Sequence, residues 1–263
     1  MKKLFNNILV HIDREGQAGE ALQEALRIGG QWQCHVHLLY SAGARKDLME
    51  RYRPLENTVP MTFFELQGPP EKNIIEYCLR HEIDLILLER EKRPFWQVFR
   101  RRDDISIEGL LKKVRCPVLT VFGQPVLSSI RNIVLPVGQG LPMRKLLFAT
   151  FLARIAGSTI HLVSIDGRSG ETSKASGENL YRSYRLLREN TSLPVECMKM
   201  PGENLADEAW RYAKEIKADL ILIHPGKESL LSGFFKGFFT RPLYELYSRA
   251  LFNVSRIPVL TIS

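Results

Sequence analysis

Groups able to do chemistry gather at a few places in this chain. Asp13 follows His11 across one residue, and Leu88-Glu89-Arg90-Glu91-Lys92 sets carboxylates beside cations, with Asp103, Asp104 and Ser106 further on. Later come Pro136-Val137-Gly138 and His224-Pro225-Gly226-Lys227. Asp13 near Lys92 would polarise a bound ligand, and His11 and His224 would wall a pocket or donate a proton. The bland alternatives are plain ion pairs and solvated histidines. His35 and His37 alternate along one apparent strand and so share a face, which is the look of a metal pair. No third ligand is fixed by spacing, and His161 recurs at the position of His37, so a structural role is the reading and no metal is expected. Catalytic patterns are missing: no nucleophile elbow, no H-E-x-x-H, no Walker loop and no Ser-His-Asp spacing. The chain reads as a non-enzyme.

The elements that position these groups come twice. Asn7-Ile8-Leu9-Val10-His11-Ile12-Asp13 is answered by Asn132-Ile133-Val134-Leu135-Pro136-Val137-Gly138, and Asp84-Leu85-Ile86-Leu87-Leu88 by Asp219-Leu220-Ile221-Leu222-Ile223. His37-Leu38-Leu39 is echoed by His161-Leu162-Val163, and Cys116-Pro117-Val118-Leu119-Thr120-Val121 by Ile257-Pro258-Val259-Leu260-Thr261-Ile262. Half the chain is too long for a solenoid repeat and right for a small domain. Two tandem domains follow, 1–124 and 130–263, joined through Gly123-Gln124-Pro125 and Ser128-Ser129.

Within each copy, short apolar runs alternate with segments of helical period, the mark of β-α-β units and a parallel sheet. Strands are expected at 7–12, 34–40, 61–66, 84–88 and 117–122. In the second copy they fall at 132–137, 159–165, 194–199, 219–223 and 258–262. The stripe Ala18-Ala21-Leu22-Ala25-Leu26 predicts a helix stopped by Gly29-Gly30. Further helices are predicted over Glu71–Glu82 and Ile107–Val114, then near 143–156, 178–189, 204–217 and 243–253. The fold class is α/β, with two doubly wound, Rossmann-like domains of five parallel strands each. Ligands of such sheets sit past the carboxyl ends of the strands where the winding reverses, here strands one and four. Candidate binding residues are therefore His11, Asp13, Leu88, Glu89, Arg90, Lys92 and Ser106, then Pro136, Gly138, His224, Gly226 and Lys227.

Composition narrows the class. The 263 residues are 44% hydrophobic, enough for two cores, and no run of about 18 apolar residues exists to span a membrane. The basic start has no apolar run of signal-peptide length, so a cytoplasmic protein is expected. The cysteines Cys34, Cys78, Cys116 and Cys197 show no C-x-x-C spacing and read as small buried hydrophobes rather than bridges or ligands. Net charge is +8, and Arg90, Lys92, Arg93, Arg100, Arg101 and Arg102 crowd one segment. That segment carries Phe95, Trp96 and Phe99, and the second copy places Phe234, Phe235, Phe238 and Phe239 in the same position. Such arms could stack bases or dock on an anionic membrane. Packing over the pocket or against another subunit is preferred.

In the order and spacing of these duplicated strands, essentially the whole chain resembles a tandem universal stress protein. Members that bind ATP carry an Asp after the first strand and G-x2-G-x9-G-[S/T] after the fourth. Asp13 matches the Asp in copy one, and Gly138 replaces it in copy two. Glu89 and Lys92, then His224 and Lys227, stand where the first two glycines would be. Gly226 is displaced from the family position, and the Gly-Ser pair falls on Asp103-Asp104-Ile105-Ser106 in copy one. In copy two it falls on Leu243-Tyr244-Glu245-Leu246. The resemblance thus implies a stress-adaptation protein that binds partners or ligands through degenerate nucleotide sites, with no cofactor. The alternatives are ATP or AMP held in domain one through Asp13, and a peripheral binder of membrane or nucleic acid. The family also implies an intramolecular pseudo-dimer through the fifth strands. A homodimer and an unidentified protein partner are the other assemblies in view.

Overall fold

The computed structural model describes residues 4–12, 19–41, 59–89, 105, 107–121, 129–166, 170–202, 204–224 and 257–262. The chain divides into two compact units, Met1–Ser128 and Ser129–Ile262. In the first, strands β1 (Asn7–Ile12), β2 (His35–Ser41), β3 (Met61–Leu66), β4 (Leu85–Glu89) and β5 (Val118–Val121) accompany helices α1 (Glu20–Trp32), α2 (Pro70–Arg80) and α3 (Ile107–Lys113). The strand order is β3-β2-β1-β4-β5 and every pair is parallel. Because β1 neighbours both β2 and β4, the winding reverses between β1 and β4, as the sequence predicts. The continuous apolar strands are covered on both faces. Leu9, Ile86 and Val118 share one core with Ile74 and Ile75 of α2 and Leu110 of α3. Helix α1, buried through Ala21, Leu22, Ala25 and Ile28, packs onto β1, β2, β4 and β5.

Helix α1 departs from expectation at its end. It runs through Gly29-Gly30 to Trp32 and stops at Gln33, whose φ of 54° is left-handed and whose N–H bonds to the Gly29 carbonyl. Gly29 is small for packing rather than for termination: a Cβ there would lie 2.6 Å from Val59 Cγ1 and 3.1 Å from Val36 Cγ2.

The second unit repeats the plan. Strands β6 (Asn132–Pro136), β7 (Thr159–Asp166), β8 (Val195–Pro201), β9 (Leu220–Ile223) and β10 (Val259–Thr261) are parallel in the order β8-β7-β6-β9-β10. The described helices are α4 (Met143–Ala156), α5 (Gly170–Asn190) and α6 (Leu205–Glu215). Gly157, at φ 71°, ends α4, and the side-chain oxygen of Asn204 caps α6 by accepting from the Ala206 and Asp207 amides. Helix α5 starts at Gly170, well ahead of the 178 predicted from apolar period. Its buried stripe is more polar than apolar (Ser176, Asn179 and Ser183 beside Leu180 and Leu187), and the polar part is silent in a hydropathy pattern.

The cysteines also depart from expectation: Cys34 and Cys116 are buried, but Cys78 is half-buried and Cys197 exposed. Cys197 lies on β8, the outermost strand of its unit, where most side chains face solvent. Among the described residues, no helix is long and apolar enough to cross a membrane. The helix predicted over 243–253, both aromatic arms, and Asp13, Arg90, Lys92, Ser106, Gly226 and Lys227 lie outside the described residues.

Candidate functional site

The strand ends next to the winding reversal bring His11, Leu88 and Glu89 to one edge of the first unit. His11 is half-buried and in register with Leu39, and Leu88 is buried in register with Thr120. Glu89 closes β4 opposite Val121 and turns its carboxylate to the start of α1, where the Ala21 amide donates to Oε2 at 3.4 Å. The N-cap of α1 is Gly19, in extended geometry and with no side chain to cap with. A methyl group on Gly19 would overlap the Glu89 carboxylate. So the helix's positive end, which in such a fold attracts anions, faces a carboxylate of the chain itself.

In the second unit, Pro136, Gly138 and His224 come to the corresponding edge. Pro136 is buried at the end of β6 in register with Val163, the Val137 amide donates to the Val163 carbonyl at 2.7 Å, and His224 is half-buried after β9. Asn179 of α5 donates to the carbonyls of Gly138 at 3.4 Å and Gln139 at 2.7 Å, fastening the loop that follows β6. A Cβ on Gly138 would make only ordinary contact, 3.4 Å from Leu205, so neither space nor backbone demands glycine there. Beside this loop is a residue the sequence reading passed over. Lys145 is 3% exposed, and its Nζ donates to the Pro136 carbonyl at 2.6 Å. Burial holds its pKa well below the ordinary lysine value. It sits in the first turn of α4, which carries no acidic residue there and no side-chain cap. That setting disfavours the charged form as well. The signal was in the repeat: Lys145-Leu146 with Ala149 occupies the place of Ala21-Leu22 with Ala25, a lysine on an apolar stripe.

At the opposite, amino-terminal edge, each unit builds the same polar frame. Asp84 Oδ2 accepts from the Asn6 and Asn7 amides at 2.7 and 3.0 Å, and Asp219 Oδ2 from the Arg131 and Asn132 amides at 2.8 and 2.9 Å. His37 Nδ1 meets the Tyr77 hydroxyl at 2.8 Å and its Nε2 meets Asn7 Oδ1 at 3.3 Å. His161 repeats this with Tyr212 and Asn132, both at 3.1 Å. His35 lies on the face of His37, ring centroids 4.5 Å apart, with its Nε2 at 2.7 Å from Thr62 Oγ1. Both nitrogens of His37 are thus engaged within the fold. Burial, then the neighbouring His35 and His81, lower its pKa to about 4. Among the described residues, no group of three or more His, Cys, Asp and Glu is placed to hold a metal.

No family model matches the sequence, and no curated protein matches it. Solved structures do. A universal stress protein from Archaeoglobus fulgidus DSM 4304 is similar over 98% of this chain and 96% of its own, at 14% identity and a TM-score of 0.67. A functionally unknown protein from Pseudomonas aeruginosa PAO1 is similar over 98% of this chain and 92% of its own, at 21% identity and a TM-score of 0.67. At these identities the likeness speaks for the fold. With two compact units, each a five-stranded parallel sheet of one winding, the chain has the universal stress protein fold.

Proposed function

We propose that the chain is a non-enzymatic protein of stress adaptation that acts by binding, its nucleotide edges no longer fit for ATP. The observation that carries this reading is the Glu89 carboxylate at the start of α1. A phosphate brought to that helix end meets a negative charge, and like charges about 4 Å apart near a protein surface repel by roughly 4 kcal/mol. In the second unit Gly138 offers no carboxylate for a base, and Lys145 is committed to a backbone carbonyl. Lys92, Lys227 and the acidic pair Asp103 and Asp104, where the family's glycines and Gly-Ser pair would stand, argue the same way from the sequence.

Calorimetry with ATP at physiological magnesium is the test. Binding no tighter than high micromolar is expected, and Glu89→Gln should strengthen whatever weak binding exists. A submicromolar Kd for the unmodified protein would overturn the reading in favour of ATP or AMP held in domain one through Asp13.

A further inference from the structure

Where α5 crosses β7 and β8, hydroxyl groups and one ammonium share a face of the sheet. Ser164 of β7 is in register with Lys199 of β8, and in-register residues of parallel neighbours point to one face on strands roughly 4.8 Å apart. That face is the one α5 covers, because Lys199 Nζ and Cε lie 3.3 and 3.6 Å from where a Cβ on Gly177 would be. The opposite face belongs to α6, whose Tyr212 meets His161, three residues before Ser164. Ser164 is wholly buried, as is Ser183 of α5, and neither hydroxyl has a hydrogen-bond partner among the described residues. A buried hydroxyl left unpaired is costly. Lys199 is exposed at the outermost strand, and no described carboxylate forms an ion pair with it. The nearest acid along β7, Asp166, stands opposite Pro201 rather than Lys199. Gly177 lies inside a 21-residue helix, where glycine forfeits helix propensity, and its missing side chain leaves that space to the ammonium.

We propose that this slot binds a small oxyanion, a carboxylate or a phosphate, held by the Lys199 ammonium and the Ser164 hydroxyl with Ser183 as a second hydroxyl donor. An ionised oxyanion only accepts hydrogen bonds, and both residue types here can donate them. The bond from the ammonium is charge-assisted, the stronger kind. Lys199 meets the ion from solvent, and the buried hydroxyls give it donors that the fold itself does not use. The slot lies on the second and third strands of its unit, away from β6 and β9 where the winding reverses. It is therefore separate from the nucleotide edge, and it stands or falls independently of how that edge treats ATP.

The test titrates the full, isotope-labelled chain with inorganic phosphate and, separately, with acetate, chloride holding the ionic strength constant, and follows the amides by NMR. The expected result is saturable shifts at Ser164, Gly177, Ser183 and Lys199 with millimolar ligand. Saturation by both ions places carboxylates and phosphates in the slot, and saturation by phosphate alone narrows the ligand to phosphates. Lys199→Met changes an exposed side chain and should weaken binding by about tenfold or more, since it removes the charge-assisted bond. Ser164→Ala should weaken it by a smaller factor. Because Lys199→Met leaves the buried residues as they are, its result stands even where Ser164→Ala folds poorly. The proposal is overturned if no shift saturates, if the shifts gather at the nucleotide edge or the arginines of 90–102 instead, or if Lys199→Met titrates like the unmodified chain. A Ser164→Ala protein that melts higher and titrates unchanged overturns it equally, for the hydroxyl would then serve no ligand.

Discussion

Protonating His37 costs more in the fold than in the open chain, because burial, then His35 and His81 nearby, oppose the added charge. Its ordinary value is 6.5 and its folded value about 4, so the unfolded chain takes up the proton first as pH falls. Stability contributed by neutral His37 is therefore whole above about pH 6.5, declines as pH drops towards about 4, and is level below. His161 adds in the same direction through its own burial, partly countered by Glu196 at 3.3 Å. The melting temperature should fall across that window, and His37→Gln should flatten part of the slope. An unchanged slope in the variant would remove His37 as the cause. The alternation of His35 and His37 was legible, since a strand has period two. Their partners were not, because Tyr77 lies 40 positions from His37 and only the packed α2 brings its hydroxyl there. Lys145 was legible in principle as a misfit within a repeated stripe, yet that it reaches the Pro136 carbonyl is set by the three-dimensional turn of the chain.

At the scale of elements, the two glycines inside α1 should answer substitution with opposite signs. Alanine is the better helix former by roughly 0.5–1 kcal/mol, and a Cβ on Gly30 would meet only Val59 Cγ2 at 3.8 Å. Gly30→Ala should therefore stabilise by about that amount. Gly29→Ala should destabilise by about 1–3 kcal/mol, since the stiff side chains of Val59 and Val36 leave no room and crowding outweighs propensity. Denaturant melts of both variants check this, and two shifts of one sign would show the close approach at Gly29 to be relieved cheaply. The pair Gly29-Gly30 reads as a helix stop because glycine serves that role so often. Nothing in the local sequence announces that β2 and Val59 press against the helix there. Strand positions fared better, as buried parallel strands are continuous apolar runs. Helix α5 was legible only from about residue 178 onward, because Ser176, Asn179 and Ser183 bury hydroxyl and amide groups that a hydropathy period does not register.

For the whole molecule, the net charge of +8 and the crowding of arginines at 90–102 set the remaining test. If Arg100, Arg101 and Arg102 hold a nucleic acid or an anionic surface, affinity should fall steeply with salt, because each neutralised phosphate releases counterions. The packing reading expects little change when the three become alanine. It expects a lower melting temperature or an altered oligomer in Trp96→Ala, since a large buried side chain contributes on the order of 1.5–3 kcal/mol. Salt-sensitive binding to nucleic acid or anionic vesicles that vanishes in the triple variant, beside an unaffected Trp96→Ala protein, would reverse that choice. The duplication itself was plain in the sequence, because the same strands recur in the same order. Which repeated residues are frame and which are site was not: the amino-terminal edges keep the same Asn, His, Tyr and Asp contacts, while the carboxyl edges present a carboxylate in one copy and a buried lysine in the other.

The aspartates at those amino-terminal edges also bear on the order of events during synthesis. The opening amides of β1 are bonded by Asp84, 77 and 78 positions downstream, and those of β6 by Asp219, 87 and 88 positions downstream. A central strand emerging from the ribosome therefore exchanges water for its folded-state acceptor at these first backbone donors only once its fourth-strand neighbour has been made. Closure over such spans is slow, and domains tend to complete themselves as units. Each half should accordingly emerge as a late, cooperative event, with its aspartate the latch that admits the nascent chain to the folded state.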